Sequence, residues 1–206
     1  MKVLLVNGSP HKEGSTFTAL SEAAEALQKN GIETEIFHIG TDPVRGCTAC
    51  RKCAELKKCA FNDDCCNEIA AKIAESDGVI IGTPVYYSGA NGALCALLDR
   101  AFFSRGREFA YKAAAAVVCC RRGGNSSAFD RINKYFTISN MFVVGSQYWN
   151  IVHGNNPQEV RQDLEGLQTL RRLADNMAYL LRMSENSESS VLRPVPEAPQ
   201  RTNFIR

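Results

Sequence analysis

The chain has no long apolar run: nothing in its 206 residues approaches the roughly 18 apolar residues of a membrane span. It has no long basic run either, and its formal net charge is only +2. Neither nucleic acid nor a membrane surface is therefore expected as a partner. The apolar stretch inside Met1-Lys2-Val3-Leu4-Leu5-Val6-Asn7-Gly8 is too short for the core of a signal peptide, so a cytoplasmic location is expected. Histidine is scarce, with three in the chain. His38 and His153 have no patterned partner and read as structural, and no Ser–His–Asp arrangement suggests itself. No side chain is assigned as an acid–base catalyst.

Three nucleotide and phosphate signatures are also missing. A Walker loop needs lysine directly after its second glycine, and Ser15 follows Gly14 instead. The first loop has no G-x-G-x-x-G, which removes the dinucleotide fingerprint. No cysteine is followed six positions later by arginine, which disfavours a cysteine phosphatase.

Cysteine, by contrast, is plentiful, with nine in the chain. In a reducing cytosol this argues for free, metal-bound or reactive thiols rather than a disulfide framework.

Apolar runs predict strands at Val3–Val6, Gly78–Ile81, Ala113–Cys119 and Met141–Val144, and Glu33–Ile39 alternates like an edge strand. Helical spacing lies between them: Leu20 to Leu27 with a stop at Gly31, then Asn67–Ser76, Ala93–Phe103, and Phe129 to Phe136. A fifth helix is capped by Asn156, with Pro157 in its first turn and Glu159 at the capping-box position. Its apolar face is Val160, Leu164, Leu167, Leu170, Leu173, Met177 and Leu181. Five strands alternating with five helices and joined by right-handed crossovers make an α/β, doubly wound, five-stranded parallel sheet. One domain over residues 1–183 is expected. Residues 184–206 would form a tail packed on the domain or on a neighbouring subunit.

In such a sheet a ligand sits beyond the carboxyl ends of the strands. The loop after the first strand, Asn7 to Thr16, is rich in small and hydroxyl residues and leads into a helix N-terminus. Free N–H groups and the positive end of the helix dipole favour a phosphate there. Without a positive charge in its core, the loop suits a phosphate monoester such as that of FMN; the alternative is a capped helix start with a tight turn. After the third strand, Pro84 fixes the chain and Tyr86 and Tyr87 offer a wall for a flat ligand.

The stretch GCTACRKCAELKKC, residues 46–59, spaces Cys47, Cys50, Cys53 and Cys59 as C-x-x-C-x-x-C-x5-C. The first three share the tight spacing of cluster-binding loops. Zinc sites more often use two separated pairs, and free thiols in a packed loop are the other reading. Cys65 and Cys66 add thiols that the motif does not need. Cys95, Cys119 and Cys120 read as small buried fillers. Asp63 and Asp64 are placed to cap the following helix.

Taken together, GSPHKEGST, the cysteine stretch followed by NDD, GTPVYYSGANGALCALLDR and the terminal TNFIR resemble the flavodoxin-like NADPH-dependent FMN reductase superfamily, and within it the iron–sulfur flavoprotein branch. The resemblance covers nearly the whole chain. It implies strand order 2-1-3-4-5 with a cysteine-rich loop after strand 2. FMN phosphate would lie on Ser9, His11, Gly14, Ser15 and Thr16. The ribityl chain and ring would meet Pro84, Val85, Tyr86, Tyr87 and Ser88. A glycine-rich loop against the flavin maps to Arg122, Gly123 and Gly124, where Arg121 and Arg122 either attract a nicotinamide cofactor's phosphate or are solvated charge. In the iron–sulfur branch the compact cysteine motif ligates a [4Fe–4S] cluster that relays electrons to FMN; this maps to Cys47, Cys50, Cys53 and Cys59, with Arg51, Lys52, Lys57 and Lys58 offsetting the cluster's charge.

The expected function is an FMN-dependent oxidoreductase taking electrons from NAD(P)H or a redox protein donor. The alternatives are an electron carrier between redox proteins and a phosphate-ligand domain without redox function. A homodimer or homotetramer is expected from the resemblance and from Val191, Leu192, Val195, Phe204 and Ile205 in the tail.

Overall fold

In the computed structural model, which describes residues 1–187 together with 194, 195, 197, 198, 200 and 202, the strand most completely buried is the alanine-rich β5 (Ala113–Cys120). It pairs in parallel with β3 (Gly78–Tyr86), which pairs with β1 (Lys2–Asn7), which pairs with β2 (Glu33–His38). Alternate residues of β1 and β5 point to opposite faces. Val3 and Leu5 join Ala115 and Val117 in one core layer, whereas Leu4 and Val6 join Ala114 and Ala116 in the other. Helices α1 (Ser15–Lys29) and α7 (Leu164–Ser187) cover the first face. Helices α3 (Cys66–Glu75), α4 (Gly92–Arg105) and α5 (Asn125–Ile138) cover the second, and the one-turn α2 (Cys53–Leu56) lies in the loop after β2. This is the doubly wound arrangement expected of a βαβ series.

The far edge differs from the expectation of one strand at Met141–Val144. It is split into β6 (Phe142–Val143), paired with the start of β5, and β7 (Ile151–His153), paired with its end. Residues 145–150 leave the sheet between the two. Asn150, buried to 1% exposure, bridges the gap. Its Nδ2 donates to the Ala116 carbonyl at 3.0 Å, and its own carbonyl accepts from Val118 N–H at 2.9 Å. The order is thus β2-β1-β3-β5 and then the β6/β7 edge.

A further departure is β4 (Gly89–Ala90), which turns back on β3 as a small antiparallel hairpin. The last helical region is also broken. The Asn156 cap and the reach of Glu159 back to Asn155 N–H are present, but they open only α6 (Pro157–Val160). Asp163 then starts α7 by accepting the Gly166 N–H at 2.9 Å, while its other oxygen accepts the His153 N–H at 2.6 Å. Leu164, expected on the apolar face, is consequently exposed. Helix α7 runs on through Ser187, so the segment read as an unpatterned tail from Ser184 begins inside a helix. Val191, Leu192, Phe204 and Ile205 lie outside the described residues; Val195 is exposed. Among the described residues, no helix is long and apolar enough to cross a membrane.

Candidate functional site

Three loops meet beyond the carboxyl ends of β1, β3 and β5. The first is organised by Asn7, which the sequence did not single out. Its Oδ1 accepts the Ser9 N–H at 3.1 Å and its Nδ2 donates to the Lys12 carbonyl at 3.1 Å. Ser9 is buried, its Oγ accepts the His11 N–H, and its carbonyl lies 2.8 Å from His38 Nε2. Gly8 donates to the Gly82 carbonyl at 2.9 Å, and a Cβ at Gly8 would stand only 2.4 Å from Leu94. The loop is therefore pressed against β3 and α4. Gly14 precedes α1 with no side chain capping the helix and no acidic residue in its first turn. The first N–H groups and the positive dipole end are left for an external anion. Ser15 is half-buried and His11 exposed at this opening. Thr16 is buried, its methyl packed near Gly82.

The second loop is the β3–β4 hairpin. Tyr87 and Ser88, at its two central positions, have φ of 48° and 58°. This is the mirror-image turn that fits the strand twist but normally selects Asn-Gly. Holding a tyrosine and a serine in the left-handed region costs about 1–2 kcal/mol per residue, and such outliers gather at ligand sites. Tyr87 is fully exposed and Tyr86 is 45% exposed, so two rings stand free at the mouth of the site. Pro84 and Val85 are half-buried at the hairpin's base. Asn91 fastens its exit, donating to Thr83 Oγ1 and accepting the Leu94 N–H to cap α4.

The third loop follows β5. Gly124 has φ of 83°, and a Cβ there would meet Ser88 Cα at 2.7 Å and Val85 Cγ1 at 2.9 Å. The structure thus brings the glycine loop directly onto the hairpin. Arg121, Arg122 and Gly123 are exposed beside it. Neither arginine side chain has an ion-pair partner among the described residues. Beneath the loops lie Cys119 and Cys120. Burial pushes the Cys119 thiol up to about 12 and raises that of Cys120, as suits fillers rather than nucleophiles.

The cysteine loop after β2 forms a second centre on the α3/α4 side. Cys47, Cys50, Cys53 and Cys59 line one open concavity with Arg100 and Phe103. All are free thiols. Ala49 and Arg51, on either side of Cys50, have φ of 52° and 59°, a backbone held in an uncommon conformation. Arg100, 2% exposed on α4, donates from Nε to Cys59 Sγ at 3.2 Å, from Nη1 to the Arg45 carbonyl at 3.1 Å, and from Nη2 to the Phe61 carbonyl at 3.2 Å. Nη1 also pairs with the buried Asp64 carboxylate. Burial alone would lower the Arg100 pKa, but the hydrogen bonds to Asp64 and Cys59 reverse it, and the guanidinium stays charged. Asp64 also accepts the Cys66 N–H at the start of α3, the capping role expected of it. Asp63 instead pairs with Arg45. Burial pushes the Cys65 and Cys66 thiols up to about 11 and about 12. Among the described residues, no three His, Cys, Asp or Glu side chains converge tightly enough to form a metal site as they stand. The four cysteines share a concavity without closing on a common point.

An anion-ready helix start, an aromatic hairpin and a glycine loop at the switch point of a 2-1-3-type sheet define a flavodoxin-like protein. Comparison with known proteins agrees. The NADPH-dependent FMN reductase family matches residues 1–156. An iron-sulfur flavoprotein of Methanocaldococcus jannaschii is 35% identical over 191 residues, covering 89% of this chain and 98% of the relative. The iron-sulfur flavoprotein of Methanosarcina thermophila is 32% identical over 193 residues, covering 91% and 98%. Among solved structures, RosB with a bound 8-demethyl-8-formylriboflavin-5′-phosphate superposes with a TM-score of 0.71 over 100% of this chain and 94% of RosB, at 18% identity, and so shares the fold. The chain belongs to the NADPH-dependent FMN reductase family, in its iron–sulfur flavoprotein branch, and is an FMN-binding oxidoreductase.

Proposed function

We propose that FMN sits across the three loops. Its phosphate would lie on Ser9, His11, Gly14, Ser15 and Thr16, and its ribityl chain and ring along Pro84, Val85, Tyr86, Tyr87 and Ser88 and against Arg122, Gly123 and Gly124. The observation that carries this is the uncapped, acid-free start of α1, whose Thr16 packs near Gly82 of the strand that runs on into a hairpin pressed against Gly124. The N–H groups at Ser15 and beyond hold the phosphate dianion, the hydroxyls of Ser9 and Ser15 complete its shell, and the exposed tyrosine rings keep water off the flat face. FMN supplies hydride- and electron-transfer chemistry when bound. Electrons come from NAD(P)H, whose phosphate Arg121 and Arg122 are free to meet, or from a redox protein.

The cysteine centre fits a [4Fe–4S] cluster by its donor set: four free thiols on one concavity, with a guanidinium already donating to one of them. Cys47, Cys50, Cys53 and Cys59 would hold it, exchanging single electrons with the flavin and making the protein an electron carrier. The chain would act as a homodimer or homotetramer, with the segment beyond α7 packing on a neighbour.

Anaerobic purification followed by flavin, iron and acid-labile sulfide analysis tests both centres. One FMN with about four iron and four sulfide per chain is expected for a [4Fe–4S] cluster. FMN without iron after anaerobic reconstitution refutes the cluster, and a colourless protein that takes up no FMN refutes the whole assignment. Steady NAD(P)H oxidation with a small acceptor marks a reductase, whereas flavin reduction only by a ferredoxin-type donor marks the carrier. Light scattering giving the mass of a single 22.6 kDa chain refutes the oligomer.

A further inference from the structure

Arg100 is used by nothing in the flavin site, yet every nitrogen of its buried guanidinium has a partner. A buried ion pair is weak evidence of a contribution to stability, because an apolar pair of the same shape does as well or better. The direction of the group is more informative. Asp64 and two carbonyls hold the Nη atoms, which leaves Nε aimed at Cys59 Sγ. Among the described residues, the sulfurs of Cys47, Cys50 and Cys53 receive no hydrogen bond. The backbone of Cys59 is also fixed: its N–H donates to Asn67 Oδ1 at 2.9 Å, and its carbonyl accepts from Asn67 Nδ2 at 3.0 Å. Cys47 and Cys50 are exposed. One corner of the concavity is therefore built in advance, and the remaining thiols close onto it.

We propose that Arg100 is a positioning residue for the cluster ligand Cys59, and that its Nε–H makes the bound [4Fe–4S] cluster easier to reduce. This rests on the cluster reading above. One electron enters the cluster and no proton moves. The reduced cluster carries one more negative charge, so an N–H of a cation placed on a ligand sulfur stabilises it more than the oxidised one. Asp64 offsets the net charge of Arg100, but it is the Nε–H that touches the sulfur.

The test uses the reconstituted holoprotein with arginine labelled by ¹⁵N at Nε only. Pulsed EPR of the reduced cluster should show one coupled Nε nitrogen, lost in Arg100→Lys. In that variant the cluster's reduced-to-oxidised ratio at a fixed solution potential should fall about tenfold, a shift of about 59 mV for one electron, with FMN content unchanged. If Arg100→Lys fails to fold, the double variant Arg100→Met/Asp64→Leu replaces the pair with apolar groups, and the same loss of ratio is expected. A wild-type cluster with no Nε coupling, or a potential unmoved in a folded variant, overturns the inference alone. A wild-type protein holding FMN but no iron overturns the cluster reading and this inference with it.

Discussion

Gly124→Ala isolates the contact that ties the glycine loop to the β3–β4 hairpin. Gly124 sits at φ of 83°, where an L-residue costs about 1–2 kcal/mol. The added methyl would stand 2.7 Å from Ser88 Cα and 2.9 Å from Val85 Cγ1, against an ordinary carbon contact of about 3.5–4.0 Å. The overlap is therefore about 1 Å, and it falls partly on backbone. Two outcomes are open to the molecule, compression or movement of the hairpin. The hairpin is the weaker partner, since only Val85↔Ala90 and Tyr86↔Gly89 pair within it, whereas Gly124 is the residue that opens the 14-residue helix α5. The hairpin should shift, carrying Tyr86 to Ser88 away from the ring. The apo-protein should lose only the φ term, about 1–2 kcal/mol by urea denaturation. FMN affinity should fall about 5- to 30-fold, equivalent to about 1–2 kcal/mol, by quenching of FMN fluorescence. Gly145→Ala, outside the three loops, is the control, because nothing lies within 4 Å of its Cβ and both quantities should hold. An alanine at 124 that leaves affinity unchanged and stability within 0.5 kcal/mol of wild type would refute the contact as a determinant of the site.

Ser15→Glu puts a carboxylate where the phosphate would sit; at about 4 Å and an effective dielectric of about 20 the repulsion is about 4 kcal/mol per charge pair, so FMN binding by equilibrium dialysis should drop at least a hundredfold, while the helix dipole leaves apo-protein stability intact. Asn150→Ala removes the partner of the buried Ala116 carbonyl and should lower stability by about 1–3 kcal/mol in urea titrations. Glu35 accepts from Lys2 and Lys72, and these bonds hold its carboxyl below the usual range. Its stabilisation is therefore present above the unfolded pKa of about 4.3 and is lost as pH falls through the lowered folded value. Chemical denaturation of wild type and Glu35→Gln should differ by up to about 1 kcal/mol near neutral pH and converge in acid.

The parts of this fold written in local pattern were legible in the sequence. Continuous apolar runs gave β1, β3 and β5, because strands covered on both faces have no polar side to interrupt them. The hydroxyl-rich loop and its helix start were legible for the same reason. Other features depend on contacts distant in sequence. Val160 and Leu167, seven residues apart, stay in phase across the break at Asp163, so periodicity ran two helices into one; the second cap, Asp163 three residues before Gly166, was the available signal. The hairpin turn Tyr87-Ser88 lacks the Asn-Gly that announces such turns, and β7 hides two β-branched residues among polar neighbours. Arg100 was invisible because it lies in an apolar helical run, and its partners Arg45, Cys59, Phe61 and Asp64 come from a loop 36 to 55 residues earlier. Buried charge networks are set by tertiary neighbours rather than by spacing.

Helix α4 acts as a ruler. It starts at the Asn91 cap beside the hairpin and carries Arg100 nine residues later, so at about 1.5 Å per residue the hairpin's exit and Arg100 are held about 13 Å apart along one rigid axis. Loops on either side can lengthen or change composition without altering that separation. An insertion within the helix could not, since one extra residue would turn Arg100 by about 100° and swing its guanidinium away from Cys59. The separation between the hairpin's exit and the cysteine loop is therefore encoded in the length and phase of a single helix.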